Sequence, residues 1–240
     1  MGLFENKIKQ FPKIFDWVER QDVSRLSNFL LDNERCNRLF VASGGSFSAA
    51  VYAEQLSADK GIMSHALTPL LYAGSGFAHV AARTLLISAS GYNNDILRAY
   101  DNGCRAEEQE VGAVVLSSKG RLQSLMQEND ANSLFGFDIP TGRDGFLSST
   151  TVLAFYTLLY RAFGHTELSS VSTDISAKEQ EEINGFVNRL KRISLDELTE
   201  HEAFLHKLEG VDSFFIHFSA KSYPVDLDIA SKFSDGAVGN

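Results

Sequence analysis

The chain has 240 residues, with 22 Lys and Arg against 31 Asp and Glu and a formal net charge of −9, so no basic stripe is available to follow a nucleic-acid backbone. Hydrophobic residues make up 44% and charged residues 22%, the balance of an ordinary globular protein, and no apolar run approaches the roughly 20 residues of a membrane span. The opening MGLFENKIKQ carries early charges and does not read as a secretory signal; Cys36 and Cys104, without nearby histidine spacing, suit neither a zinc site nor a disulfide framework and point to a reducing cytoplasm.

Residues 4–31 are expected to be helical, because Phe11, Ile14, Phe15, Val18, Leu26, Phe29 and Leu30 recur at helical spacing. RLFVAS, 38–43, is a short apolar run ending in glycine and reads as a buried strand. Helical character returns over 46–60. HALTPLLYAG, 65–74, is expected as a second strand, with Pro69 placing it near an edge or a bend. RTLLISAS, 83–90, is a third strand ended by Gly91, followed by a helix over 94–103. GAVVLSS, 112–118, is a fourth strand, and a short helix covers 122–127. SLFGFDIP, 133–140, is a fifth strand stopped by Pro140, and the density of Leu, Phe and Tyr makes 146–163 a helix.

Alternating strands and helices imply an α/β protein: a three-layer αβα sandwich whose parallel sheet is covered on both faces, with right-handed connections. The organisation expected is a helical segment over 1–30, the sandwich over 31–165, and a helical linker over 166–210. Two linker helices are expected at about 176–193 and 195–209. A new α/β unit opens over 211–240 with the strand DSFFIHFS, 212–219, and a helix over 225–233. One strand and one helix bury no core of their own. The expectation is therefore a fragment of a longer chain, and the alternative a tail packed on the first domain.

In an open parallel sheet, ligands bind beyond the carboxyl ends of the strands, where chain direction reverses. The first strand ends in Ser43, Gly44, Gly45 and Ser46. The third ends in Ser88, Ala89, Ser90 and Gly91, followed by Tyr92 and Asn93. If those strands are neighbours, both loops face one crevice. Glycine lets backbone approach a ligand, a following helix offers unpaired N–H groups, and serine hydroxyls rotate to suit an oxygen. The pattern suits a phosphate or a polyhydroxyl compound. The competing reading is that Ser46 and Asn93 only cap their helices. Lys119, after the fourth strand, is either an anion contact or an exposed turn lysine. GSG at 74–76 lacks the third glycine of a dinucleotide fingerprint, and no two histidines are spaced four apart, so no cofactor and no metal is expected.

These loops resemble the SIS, or sugar isomerase, domain family over about residues 25–165. The resemblance is closest to proteins carrying two such domains in tandem, such as the isomerase half of glucosamine-6-phosphate synthase and the fructosamine deglycases. The family's first loop, Gly-Gly-Ser, is matched by Gly44-Gly45-Ser46. Its Ser-x-Ser-Gly-x-Thr-x-Asp is matched by SASGYNND at Ser88, Ser90, Gly91 and Asp95, with Asn93 in place of Thr. A serine near the start of the helix after the fifth strand is matched by Ser148. The resemblance implies five parallel strands in flavodoxin-like order and a sugar phosphate held by Ser46, Ser88, Ser90 and Asn93, with Ser43, Gly44, Gly45, Gly91 and Ser148 completing the set. Ala89 stands where aminosugar synthases have Gln, and Tyr92 replaces a common Glu.

SAKSYPVDLDIASKFSD, 219–235, is similar to the start of a second SIS domain. The Glu that abstracts a proton in the synthases is matched there by Asp235, one methylene shorter. The implied function is binding of a phosphorylated sugar or related carbohydrate derivative, with aldose–ketose isomerase or deglycase chemistry and Asp235 as catalytic base. The alternatives are a non-catalytic module that senses a sugar phosphate and a degenerate copy without chemistry. Helices 4–31 and 146–163 carry more apolar surface than one sheet covers, so a homodimer is expected, with no nucleic-acid or membrane partner.

Overall fold

The apolar runs form a single five-stranded sheet in the computed structural model, which describes residues 10–32, 37–74, 76–77, 82–106, 109–129, 133–142, 144, 148–164 and 219–238. The strands are β1 (Asn37–Ala42), β2 (Ser64–Leu67), β3 (Ala82–Ser88), β4 (Gln109–Val115) and β5 (Ser133–Gly136). All neighbouring pairs are parallel, in the order β2-β1-β3-β4-β5. The chain therefore runs outward in one direction from β1 to β2, and in the other from β3 to β5. The reversal lies between β1 and β3, as the flavodoxin-like order requires.

Alternation along the strands sorts the core into two layers. Phe40, Ala42, Leu85, Ile87 and Val114 face one side. There they bury against α1 (Phe11–Glu19), α2 (Ser24–Leu31), α3 (Phe47–Asp59) and α7 (Thr150–Ala162). Leu39, Val41, Leu86, Ala113 and Val115 face the other side. They meet Tyr72 of α4 (Pro69–Gly74), Ile96 and Tyr100 of α5 (Asn94–Cys104), and Leu122 of α6 (Arg121–Gln127). Burying one such side chain stabilises the fold by roughly 1.5–3 kcal/mol before the entropy of ordering it is subtracted. Of the apolar positions that suggested a homodimer, Ile14, Val18, Leu26, Leu30, Phe155 and Leu158 share one buried cluster within the chain.

Several expected elements differ. The fourth strand runs Gln109–Val115, and the fifth ends at Gly136, short of Pro140. The helix expected over 4–31 is two helices among the described residues, broken at 20–23, where Asp22 Oδ1 accepts the Ser24 N–H at 2.9 Å and starts α2 afresh. The second strand stops at Leu67, and Pro69 opens α4 instead of continuing it. Proline fixes a helical φ, and its missing N–H is no loss in the first turn.

At the amino rim, Arg38 and Arg83 stand side by side in register on β1 and β3, and both are buried. Arg38 donates to the carbonyls of Leu30 (3.2 Å) and Asp32 (2.7 Å). Arg83 donates to the carbonyl of Phe29 (3.1 Å) and to Glu110 Oε2 (2.5 Å). Two guanidiniums thus hold the carbonyl end of α2, where the helix dipole is negative.

Residues Tyr223–Val238 form α8, preceded by a capping box in which the Ser219 N–H donates to Ser222 Oγ at 2.9 Å. This helix packs against α3, and the Tyr156 hydroxyl donates to the Pro224 carbonyl at 3.0 Å. The linker helices expected at 176–193 and 195–209, and the strand expected at 212–219 apart from Ser219, lie outside the described residues. Among the described residues, no helix is long and apolar enough to cross a membrane.

Candidate functional site

Because every strand is parallel, all five carboxyl ends meet one rim, and the loops after β1 and β3 leave it from neighbouring strands. Ser46 and Ser90 therefore share a rim. The turn after β3 is held by its own side chains. Ser88 Oγ accepts the Gly91 N–H at 3.2 Å, and Ser90 Oγ accepts the Tyr92 N–H at 3.3 Å. Each hydroxyl keeps its own proton to donate. Gly91 has φ +71°, and a Cβ there would lie 1.9 Å from Gln123 Oε1, so only glycine fits. Asn93 caps α5, its Oδ1 accepting the N–H groups of Asp95 (2.9 Å) and Ile96 (3.2 Å).

The loop after β4 is clipped to this turn. Gln123 Nε2 donates to the Ser117 carbonyl at 2.8 Å and to the Ser90 carbonyl at 3.5 Å, and the Leu122 N–H donates to the Gly91 carbonyl at 3.0 Å. A Cβ on Gly120 would come within 2.4 Å of the Ser90 carbonyl oxygen, so glycine allows the two backbones to meet. Ser117 Oγ accepts the Lys119 N–H at 3.1 Å, closing a small ring that fixes the lysine's backbone. At the end of β5, Asp138 Oδ1 accepts the Ser118 N–H at 2.5 Å.

The start of α7 is capped by Asp144, which is 9% exposed. Its Oδ2 accepts the N–H groups of Ser149 (2.9 Å) and Thr151 (2.8 Å) and the Thr151 hydroxyl (2.8 Å). Its Oδ1 accepts the Thr150 hydroxyl at 2.6 Å. A carboxylate at a helix amino end is favoured by both the dipole and the orphan N–H groups.

These four segments enclose a cavity of about 550 Å³, within the usual range for small-molecule sites. Ser90 and Tyr92 line it from β3, Ser117 and Lys119 from β4, Asp138 and Ile139 from β5, and Asp144, Ser148 and Thr151 from the approach to α7. Of the residues expected at the site, Ser90 and Ser148 are in its wall. Ser88 is buried in β3, Gly91 shapes the turn and Asn93 serves as a helix cap. The turn from Ser43 through Gly44 and Gly45 to Ser46 lies beside the cavity and touches its wall through Gly45, where a Cβ would sit 3.1 Å from Ser148 Cβ. Asp235 falls in α8, at a position whose side chain is outside the described residues.

Sequence reading missed Gln123, Asp138 and Asp144. Asp144 carried a signal, an acidic residue shortly before a helix start. Gln123 carried none, because its partners come from two loops brought together only by the fold. Among the described residues, no group of three or more His, Cys, Asp or Glu is placed to hold a metal ion.

No family model matches the chain, and no curated protein matches it. Solved structures do. Tagatose-6-phosphate ketose/aldose isomerase from Escherichia coli aligns at 16% identity and TM-score 0.62, over 80% of this chain and 53% of that one. A Clostridium novyi protein assigned as a tagatose-6-phosphate ketose/aldose isomerase aligns at 16% identity and TM-score 0.73, over 96% of this chain and 59% of that one. The C-terminal domain of glucosamine-fructose-6-phosphate aminotransferase from Francisella tularensis aligns at 15% identity and TM-score 0.64, over 97% and 66%. The chain thus spans between about half and two thirds of these proteins' lengths. At such identities the likeness is one of fold, and the fold is that of the SIS domain.

Proposed function

We propose that this chain binds a phosphorylated sugar, or a related carbohydrate derivative, at the carboxyl rim of its sheet. The observation that carries the reading is the turn after β3. Its serines accept backbone N–H groups, so Ser88 and Ser90 are left as donors, and Ser90 opens on a cavity also walled by Ser117, Ser148 and Thr151. Hydroxyl donors around a chamber of that size suit an oxygen-rich ligand. The solved structures of like fold include proteins named for hexose phosphates, which supports the same ligand class.

Aldose–ketose isomerase or deglycase chemistry would further need a base to move a proton next to the carbonyl. Asp235 is the candidate from the sequence. The cavity's own carboxylates favour a second reading, a non-catalytic sensor, because Asp144 has both oxygens engaged by α7 and Asp138 accepts a backbone N–H.

Thermal shift with hexose phosphates tests binding, since a ligand for the native state raises the melting temperature. Ser90→Ala should reduce the rise obtained with the wild type. An equal rise in the variant removes Ser90 from the site, and no rise in the wild type rejects the reading. Exchange of the C2 proton in deuterated water then separates enzyme from sensor: exchange that vanishes in Asp235→Asn supports catalysis, and binding without exchange supports the sensor.

A further inference from the structure

We infer that Gln123 is a positioning residue for the ligand: its buried amide ties the turn after β3 to the loop after β4 and so fixes where Ser90 presents its hydroxyl to the cavity. This rests on the sugar-phosphate reading above, because the ligand served is the one that Ser90 meets.

Gln123 is a polar residue of the short helix α6, and it is only 2% exposed. Its Nε2 donates to the Ser117 carbonyl at 2.8 Å and, in a longer bond, to the Ser90 carbonyl at 3.5 Å. Reversing the amide would turn its oxygen toward those two carbonyl oxygens, so the two acceptors fix its orientation. The other end, Oε1, has no hydrogen-bond partner among the described residues. It fills the space where a Cβ on Gly91 (1.9 Å away) or on Gly120 (2.2 Å away) would stand. The amide is thus wedged between the two loops, and its presence is what requires glycine on both.

A buried amide oxygen without a donor is unfavourable. A methionine would fill a similar volume and leave no such oxygen. Core packing alone therefore does not account for a glutamine here, whereas the two carbonyls do. Ser90 is consequently held twice: its carbonyl by Gln123, and its Oγ by the Tyr92 N–H, which donates to it at 3.3 Å. Backbone and side chain are both pinned, and the hydroxyl proton is left for a guest in the cavity that Ser90 lines. A ligand then binds without first ordering the turn. The Leu122 N–H still donates to the Gly91 carbonyl at 3.0 Å when the amide is replaced, so substitution at 123 removes the side-chain tie and keeps the backbone one.

Isothermal titration with glucose 6-phosphate and fructose 6-phosphate tests this on wild type, Gln123→Met, Gln123→Glu, Ser90→Ala and the double variant of Gln123→Met with Ser90→Ala. Gln123→Met should weaken binding about 3- to 10-fold, the worth of one hydrogen bond. In the Ser90→Ala background the same change should cost less than about twofold, because Gln123 acts through Ser90. Gln123→Glu adds a readout that packing does not move. Protonated, its carboxyl donates to the Ser117 carbonyl; ionised, it donates nothing and sets a charge against carbonyl oxygens. Burial and that hydrogen bond both favour the neutral form and raise the carboxyl above its usual value near 4.3. Affinity relative to wild type at the same pH, a ratio in which the ligand's own titration cancels, should approach one at about pH 5 and fall about tenfold by about pH 8. The same ratio for Gln123→Met should stay level. Equal affinity of wild type and Gln123→Met, additive losses with Ser90→Ala, or a level ratio for Gln123→Glu overturns the inference and leaves the sugar-phosphate reading standing. Loss of folding in both Gln123 variants, read by urea unfolding, also overturns it, since the residue would then serve stability. Wild type that binds neither phosphate overturns that reading and this inference with it.

Discussion

At the amino rim of the sheet, Arg38 and Arg83 are buried and occupied by the carbonyls of α2 and the carboxylate of Glu110. At the carboxyl rim, Lys119 is exposed, unpaired among the described residues, and faces a cavity with serines beside it. Both rims place cations near helix ends, yet they use them oppositely. A buried charge without a partner is so unfavourable that the amino rim has to satisfy its guanidiniums from within. The lysine stays hydrated and keeps its capacity for a guest. Cations of the first kind hold the helix layer to the sheet, and cations of the second kind are available for binding.

The largest expected effect tests the first half of that contrast. Arg83→Ala leaves the Phe29 carbonyl without its donor and Glu110 without its cation. The expected loss in unfolding free energy is about 3 kcal/mol, the lower end for breaking a buried pair, since the side chain of Glu110 is 43% exposed. Urea unfolding measures it. Hexose-phosphate affinity of the remaining folded protein should be unchanged. A parallel loss of affinity would mean that the two rims are energetically coupled and that the contrast fails.

Asp144 sharpens the contrast from the other side. It lines the cavity, yet its two oxygens accept four protein donors at the start of α7. It belongs with the arginines by chemistry, although it lies with the lysine by place. Asp144→Ala should lower stability by about 2 kcal/mol, the upper range for a lost helix cap. Asp144→Asn, which keeps an acceptor, should be milder. Chemical denaturation of both variants against Lys119→Ala, which should not move the midpoint, separates residues that hold the rim together from those that serve a ligand.

The sandwich was legible because glycine-ended apolar runs, set between segments of helical periodicity, survive without tertiary information. Phe40, Leu85 and Val114 are buried on one face and Val41, Leu86 and Val115 on the other, which is why these strands read as unbroken apolar runs. The β3 turn was legible for a related reason: Ser88, Ser90 and Gly91 interact within a few residues of one another. What stayed hidden depends on register and on contacts distant in sequence. Arg38 and Arg83 each look like a polar start to an apolar strand. Only the pairing of β1 with β3 puts them side by side, and only the return of α2 over that edge makes them a clamp. Gln123 resembles any polar residue of a short helix until Gly91 and Gly120 are brought against it. Asn93 shows a different limit of local reading. Local chemistry allowed both a ligand contact and a cap; its Oδ1 makes the cap, which uses none of the donors on its amide nitrogen.

Hydroxyls divide as the cations do, and Tyr156 gives the smallest and most specific test. Ser90 is a hydroxyl at a cavity, whereas Tyr156 is packed between helices, its ring 4.9 Å from that of Tyr52 and its hydroxyl donating to the Pro224 carbonyl at 3.0 Å. Burial, the main cause, pushes the Tyr156 hydroxyl up from 10.0 to about 12. The folded state then holds this proton more tightly than the unfolded chain does. Its contribution to stability is whole below the unfolded value near 10 and is lost as pH rises through about 12. Tyr156→Phe removes both the titration and the hydrogen bond that ties α7 to α8. At neutral pH the expected cost is about 1 kcal/mol, the net worth of one such bond. Between pH 10 and 12, stability should fall less steeply in the variant than in the wild type, though still measurably, because burial also raises Tyr52. Urea unfolding across that interval reads the slope directly. An unchanged slope would mean that the Tyr156 hydroxyl meets water in the folded state, which would place it with Ser90 and remove this tie between α7 and α8.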